Sequence, residues 1–176
     1  MVQTLKAKLQ ARNACKEGIA WLDDRELSQA WQECPRADWM IWYVAPLIAR
    51  QDLVILACSC ARTALKFIPD GEKRPLAAIE TAEKWANGKA TIKEVQDAAD
   101  AVDAPVDAVY TDVEAAAAAA ANAAAAAAAA IYAADAAVYA VYAANANAPI
   151  YAAAHKTMCN LIRAKLPVPP SPSGEL

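Results

Sequence analysis

The chain has 176 residues, a formal net charge of −3 and a 58% apolar composition that alanine inflates. That length suits one domain, and the acidic balance excludes a nucleic-acid binder that relies on a basic surface. Five cysteines (Cys15, Cys34, Cys58, Cys60, Cys159) lack framework spacing, and the opening Met1-Val2-Gln3-Thr4-Leu5-Lys6 reads as a polar helix rather than a leader, so a cytoplasmic protein with free, mostly buried thiols is expected.

In chain order, Thr4 is placed to cap a first helix carrying Leu5, Leu9, Ile19 and Leu22, with Trp21 alongside and a kink at Gly18. Ser28 suits the cap of a short helix ending at Cys34-Pro35. Asp38 suits the next, where Trp39, Trp42 and Tyr43 recur at i, i+3 and i+4 as an aromatic face. Pro46 interrupts that helix, and Asp52 then opens an apolar segment, Leu53 to Ile68. Pro69-Asp70-Gly71 is a turn signature. Pro75 fits the first turn of a helix with Leu76, Ile79, Ala82 and Trp85, and Asn87-Gly88 ends it. Thr91-Ile92-Lys93-Glu94 is a capping box that starts another helix. Pro105 breaks or re-nucleates that helix, and Pro149 does the same before a last helix carrying Met158, Leu161 and Ile162.

Between them lies the most biased stretch, Glu114 to Ala148, nearly all alanine without Gly or Pro. Alanine loses no side-chain entropy on ordering, so this stretch predicts helix. One unbroken rod from Pro105 to Ala148 would span about 65 Å. A break near Asn122 or in Ala130–Ala134, giving two antiparallel helices, suits a compact domain better. Alanine buries little area, so such helices repay burial only where their backbones approach closely. A membrane span is disfavoured by the weak hydrophobicity of alanine and by Asp135; an ice-binding repeat stops after Thr111 and Asn122.

No stretch reads as a strand. The predicted fold class is all-α, a multi-helix bundle with long, closely packed alanine-rich helices towards its C-terminal end. Residues 1–166 are read as one helical domain, Trp/Leu-rich over 1–90 and alanine-rich over 91–166, followed by a disordered tail over 167–176.

The inventory gives no catalytic, cofactor or metal site. His155 is the one histidine, no glycine-rich phosphate loop is present, and Cys58-Ser59-Cys60 lacks the spacing of paired metal ligands. Charge is the more informative signal. Glu94 to Glu114 holds seven acids and no base. Asp97, Asp100, Asp103 and Asp107 recur at helical spacing, with Asp112 and Glu114 beyond them, as an acidic face for a basic partner.

Between Cys58 and Val95 the chain reads Cys60-Ala61, Leu65, Pro69-Asp70-Gly71-Glu72-Lys73-Arg74-Pro75, Ala78-Ile79-Glu80, Ala82, Trp85-Ala86 and Gly88. This pattern resembles a bacterial family of toxin-immunity proteins, in which it precedes alanine-rich helices. The earlier segment, Trp31, Cys34-Pro35, Asp38-Trp39-Met40 and Trp42, is similar to uncharacterised alanine-rich proteins of bacteriophages and bacteria. Within the motif, Arg74 and Glu80 are expected to pair across the start of one helix while Trp85 packs in the core. Trp39 and Trp42 are candidates for structure or for binding.

The resemblance implies a non-enzymatic interaction protein that binds and neutralises or sequesters a partner protein such as a basic toxin. No direct nucleic-acid or membrane partner is expected, and homo-oligomerisation stays open. The alternative is a structural helical protein that assembles through its alanine helices, with ice binding a remote third.

Overall fold

The computed structural model describes residues 4–63, 65, 71–103 and 148–171. The alanine stretch, its expected break near Asn122, and Asp107, Asp112 and Glu114 lie outside the described residues. Eight helices and no strand are found among those described: α1 (Leu5–Ala11), α2 (Lys16–Leu22), α3 (Leu27–Glu33), α4 (Ala37–Val44), α5 (Arg50–Arg62), α6 (Arg74–Ala86), α7 (Ile92–Asp103) and α8 (Ala148–Lys165). The protein is all-α, as its propensities and caps predict.

Several local signals appear in the structure as the sequence predicts them. Thr4 caps α1, its hydroxyl accepting the Ala7 amide proton at 3.2 Å. The Thr91/Glu94 capping box closes reciprocally: the Thr91 amide donates to Glu94 Oε2 at 2.7 Å, and the Glu94 amide to Thr91 Oγ1 at 3.2 Å. Pro75 and Pro149 each sit in a first helical turn, where a missing amide proton costs nothing. Gly88 follows α6 at φ 70°, the left-handed conformation a helix end needs there.

Other boundaries move. The first helix is two helices, because Asn13 adopts φ 61° and turns the chain between α1 and α2; asparagine tolerates that conformation better than most residues. Gly18 lies within α2 without breaking it; a Cβ there would sit 3.2 Å from the capping Cys15 sulfur and in ordinary contact with the Trp39 ring at 3.7 Å. Ser28 lies inside α3, which starts after Glu26. Asp38 and Asp52 occupy the first turns of α4 and α5 rather than the capping positions, which Arg36 and Ala49 hold. Both carboxylates remain near the positive end of a helix dipole.

Helix α5 packs on α6 and α6 on α7, while α8 lies against α4 and α5. The centre is filled by medium-sized side chains, among them Met40, Ile41, Val54, Ile79, Val95 and Ile162, each at most 2% exposed. Ala37, Ala78 and Ala82 are fully buried between them, which lets helix backbones come close.

Helix ends in this core are closed from a distance. α4 has no side-chain cap of its own. Instead His155 of α8, 2% exposed, accepts the Ala37 amide proton on Nδ1 at 3.0 Å. A nitrogen that accepts is unprotonated, so the imidazole carries its proton on Nε2. Arg163 donates to the carbonyls of Trp31 and Cys34 at the end of α3. Trp31 in return donates its indole proton to the Leu166 carbonyl at 3.0 Å, beyond the end of α8. Past α8, the Tyr43 hydroxyl donates to the Pro170 carbonyl at 2.7 Å.

Burial holds the His155 pKa down to about 4; Asp38, 3.9 Å away, raises it and Arg36 lowers it. Because the folded value lies below the unfolded one of about 6.5, the contribution is full above that pH and is lost as pH falls through about 4. Chemical denaturation at pH 7 and pH 5 should show a loss of roughly 2 kcal/mol that a His155→Leu variant lacks. The variant should be less stable at pH 7, since it leaves the Ala37 amide without its acceptor. An equal pH dependence in both proteins would refute this account.

Candidate functional site

Three features bear on function: the acidic side of α7, the motif around α6, and the aromatic end built by α1 to α4. On α7 the apolar positions Val95 and Ala99 turn inward and are buried, leaving Glu94, Asp97 and Asp100 exposed. This is the four-residue spacing of one buried stripe and its opposite polar side. Asp97 is not bare: Lys93, one turn earlier, donates to both of its oxygens at 2.9 and 3.0 Å. That pair is solvent-exposed and contributes little stability. Asp103 is the last residue of α7 among those described.

In the α6 motif the expected Arg74–Glu80 pair does not form. Arg74 turns back instead to Glu72, whose carboxylate takes the guanidinium and the Arg74 amide, the latter at 2.9 Å. Glu80 is exposed. The reason is geometric. Positions six apart lie on different sides of a helix, whereas Glu72 stands just before the first turn. These hydrogen bonds hold the Glu72 carboxyl down at about 2. The acid of α6 that reaches another helix is Glu83, gripped by Arg62 of α5 through two bonds of 2.8 and 2.7 Å. Trp85 packs against the core, half-buried.

At the aromatic end, Trp39, Trp42 and Tyr43 diverge although they share one short helix. Tyr43 is buried with its ring 6.2 Å from that of Trp31. Trp39 meets Trp21 at 5.8 Å. Trp42 lies beneath Arg12, whose guanidinium stands 4.4 Å from the ring centre and donates to the Trp42 carbonyl at 3.1 Å. Burial lowers the Arg12 pKa, with Tyr43 opposing. Arg25 covers Trp21 and Arg36 covers Trp39, at 4.9 and 5.0 Å. No local pattern points to Arg12 or Trp21, because both reach these partners across a chain reversal.

The four buried thiols have no chemical poise. All five are free. Burial pushes Cys58, Cys60 and Cys159 up to about 12 and raises Cys34, so these stay protonated near neutrality. Among the described residues no group of three or more His, Cys, Asp or Glu is gathered so as to hold a metal ion. No helix among them is long and apolar enough to cross a membrane.

The model of one protein family, described as "Imm-5 like putative immunity protein", matches residues 47–165. The match starts after α4 and takes in α5 to α8. No curated protein and no solved structure matches.

The two ends of the α6 motif should respond differently to substitution. Glu80→Ala should change stability by no more than about 0.5 kcal/mol, as a surface change does, whereas Trp85→Ala should cost about 2–4 kcal/mol. Urea melts of both variants check this; an equal cost would mean Glu80 is engaged as the expected pair required.

Proposed function

This chain belongs to that immunity-protein family, and from the membership we propose that it is a non-enzymatic protein that binds and neutralises a partner protein through the acidic side of α7. Family membership carries the reading, since it supplies the protein partner. The choice of surface is supported by Asp97 and Asp100 on the exposed side of α7 and by the run of acids that continues through Asp103, Asp107, Asp112 and Glu114. A basic toxin, such as a nuclease whose cleft must attract phosphate, would be drawn to such a field. Complementary charge acts mainly on encounter and on the choice of partner.

Lys93 refines the expected contact. Its pairing with Asp97 occupies one carboxylate in the absence of a partner, and an incoming Arg or Lys would compete for it. Exposed pairs of this type are worth at most about 1 kcal/mol, so the exchange is cheap. The cytoplasm is the proposed location, as free thiols favour it.

Replacing Asp97, Asp100 and Asp103 together by Asn should leave folding almost unchanged and slow association. Raising the salt should weaken capture by the wild type, because screening shortens the reach of exposed charges to about 10 Å at 0.1 M. Pull-down from a host lysate at low and high salt compares the two proteins. Capture of a basic protein by the wild type, reduced in the triple variant and at high salt, is the expected result. A partner held equally by both proteins at either salt would remove the acidic side from the account.

A further inference from the structure

The chain that leaves α8 returns to the aromatic end through two side chains, Trp31 of α3 and Tyr43 of α4. We propose that these two form a recognition site for a proline-rich segment, and that the tail occupies it as a tethered ligand which a proline-rich segment of a partner protein displaces. Site and tail both lie outside residues 47–165, the segment matched to the family, and use no residue of α7.

The chemistry of the segment sets what can hold it. Pro167, Val168, Pro169 and Pro170 offer four carbonyls and a single amide proton, that of Val168. Such a stretch neither extends a helix nor pairs along a sheet. A surface that takes it must therefore bring donors and apolar faces. The aromatic pair brings both. The Trp31 indole donates to the Leu166 carbonyl at 3.0 Å and the Tyr43 phenol to the Pro170 carbonyl at 2.7 Å, one before the prolines and one at their end. The two rings stand 6.2 Å apart, and both side chains are buried. Burial pushes the phenol up to about 12, with Arg12 opposing, so it stays a donor near neutrality.

The way the tail is held makes it replaceable. Both bonds go to main-chain carbonyls, so they read no side chain that is particular to this tail, and residues 167–171 carry no charge. Pro169 and Pro170 are half-buried, whereas Pro167 and Val168 are exposed. A segment kept only to seal the core would turn its apolar side chain inward; Val168 instead stands 75% exposed. The contact at Pro170 is the exchangeable one. Leu166 directly follows α8, its amide still bonded to the Ile162 carbonyl at 2.8 Å, while Pro170 hangs on the chain beyond it. A short tether holds such a segment at an effective concentration on the order of millimolar. A partner's segment therefore gains the site where the tail is weakened.

The probe is a fluorescein-labelled, end-blocked peptide with the sequence of Leu166–Ser171, beside a control in which its three prolines are alanine. Fluorescence anisotropy measures binding to the full chain and to a tail-released chain carrying Pro167→Ser, Pro169→Ser and Pro170→Ser, all beyond the last helix. The released chain should bind the proline peptide at least about tenfold more tightly than the wild type does, and more tightly than it binds the alanine control. Adding Tyr43→Phe, which keeps the ring and removes the donor, should weaken that binding about threefold or more. Equal binding to wild-type and released chains, or no preference for the proline peptide over its control, would make the tail a clasp of the fold alone and overturn the proposal. A Tyr43→Phe chain that binds as well as its parent overturns the site as assigned. Where the triple variant does not melt cooperatively, Pro170→Ser alone, which weakens the exchangeable contact, decides by the same comparison.

Discussion

The bond on which the most depends is the one from the Ala37 amide to His155 Nδ1. α4 is eight residues long and α1, α2 and α3 are seven each. Helices that short are not stable by themselves, because nucleation costs more than a few hydrogen bonds return. Each also leaves terminal backbone groups that burial would penalise. This fold meets both demands with side chains from other helices. His155 closes the start of α4, Arg12 its end, Arg163 the end of α3, and the Trp31 indole returns the service to the chain after α8. Within that lock lie the charged groups Arg36 and Asp38, paired with one another. A neutral imidazole is the acceptor that fits there, since a cation would lose its lone pair at Nδ1 and add charge to the core.

What could be read from the sequence, and what could not, divides along the same line. The helical class, the Thr91/Glu94 box, the two prolines in first turns and the left-handed Gly88 depend on neighbours within four residues. They are visible in the chain as written. The role of His155 depends on Ala37, 118 positions away, and that of Trp31 on Leu166, 135 positions away. No periodicity announces either. The capping assignments for Asp38 and Asp52 erred by two or three positions because carboxylates are favoured throughout a first turn as well as at its cap. Arg74 found Glu72 rather than Glu80 because the nearer acid precedes the helix and can reach the first-turn amide. Four of the seven acids in the run, Glu94 to Asp103, fall on α7; the alanine stretch and the acids leading into it lie outside the described residues.

Charge is distributed to match the division of the chain. The first described helix and its turn are basic, while the side of α7 is acidic and feeds into an acidic run. The net charge of −3 hides this polarity. The matched family segment begins after α4, so the basic, tryptophan-rich end is what this chain sets against the family's helices. The two ends are joined through α8, which packs on α4 and α5. A change in the lock at Ala37 would therefore be felt at the aromatic end before it reached α7.

His155 is the only histidine in the chain, so its imidazole nitrogens can be observed without assignment ambiguity. Nitrogen NMR of the labelled protein, recorded across a pH series, reports the tautomer and the titration together. The account predicts an unprotonated Nδ1 and a protonated Nε2 at neutral pH, persisting until the pH nears 4, with a coupling across the bond to the Ala37 amide. A proton on Nδ1, or a midpoint near the ordinary value of about 6.5, would contradict it.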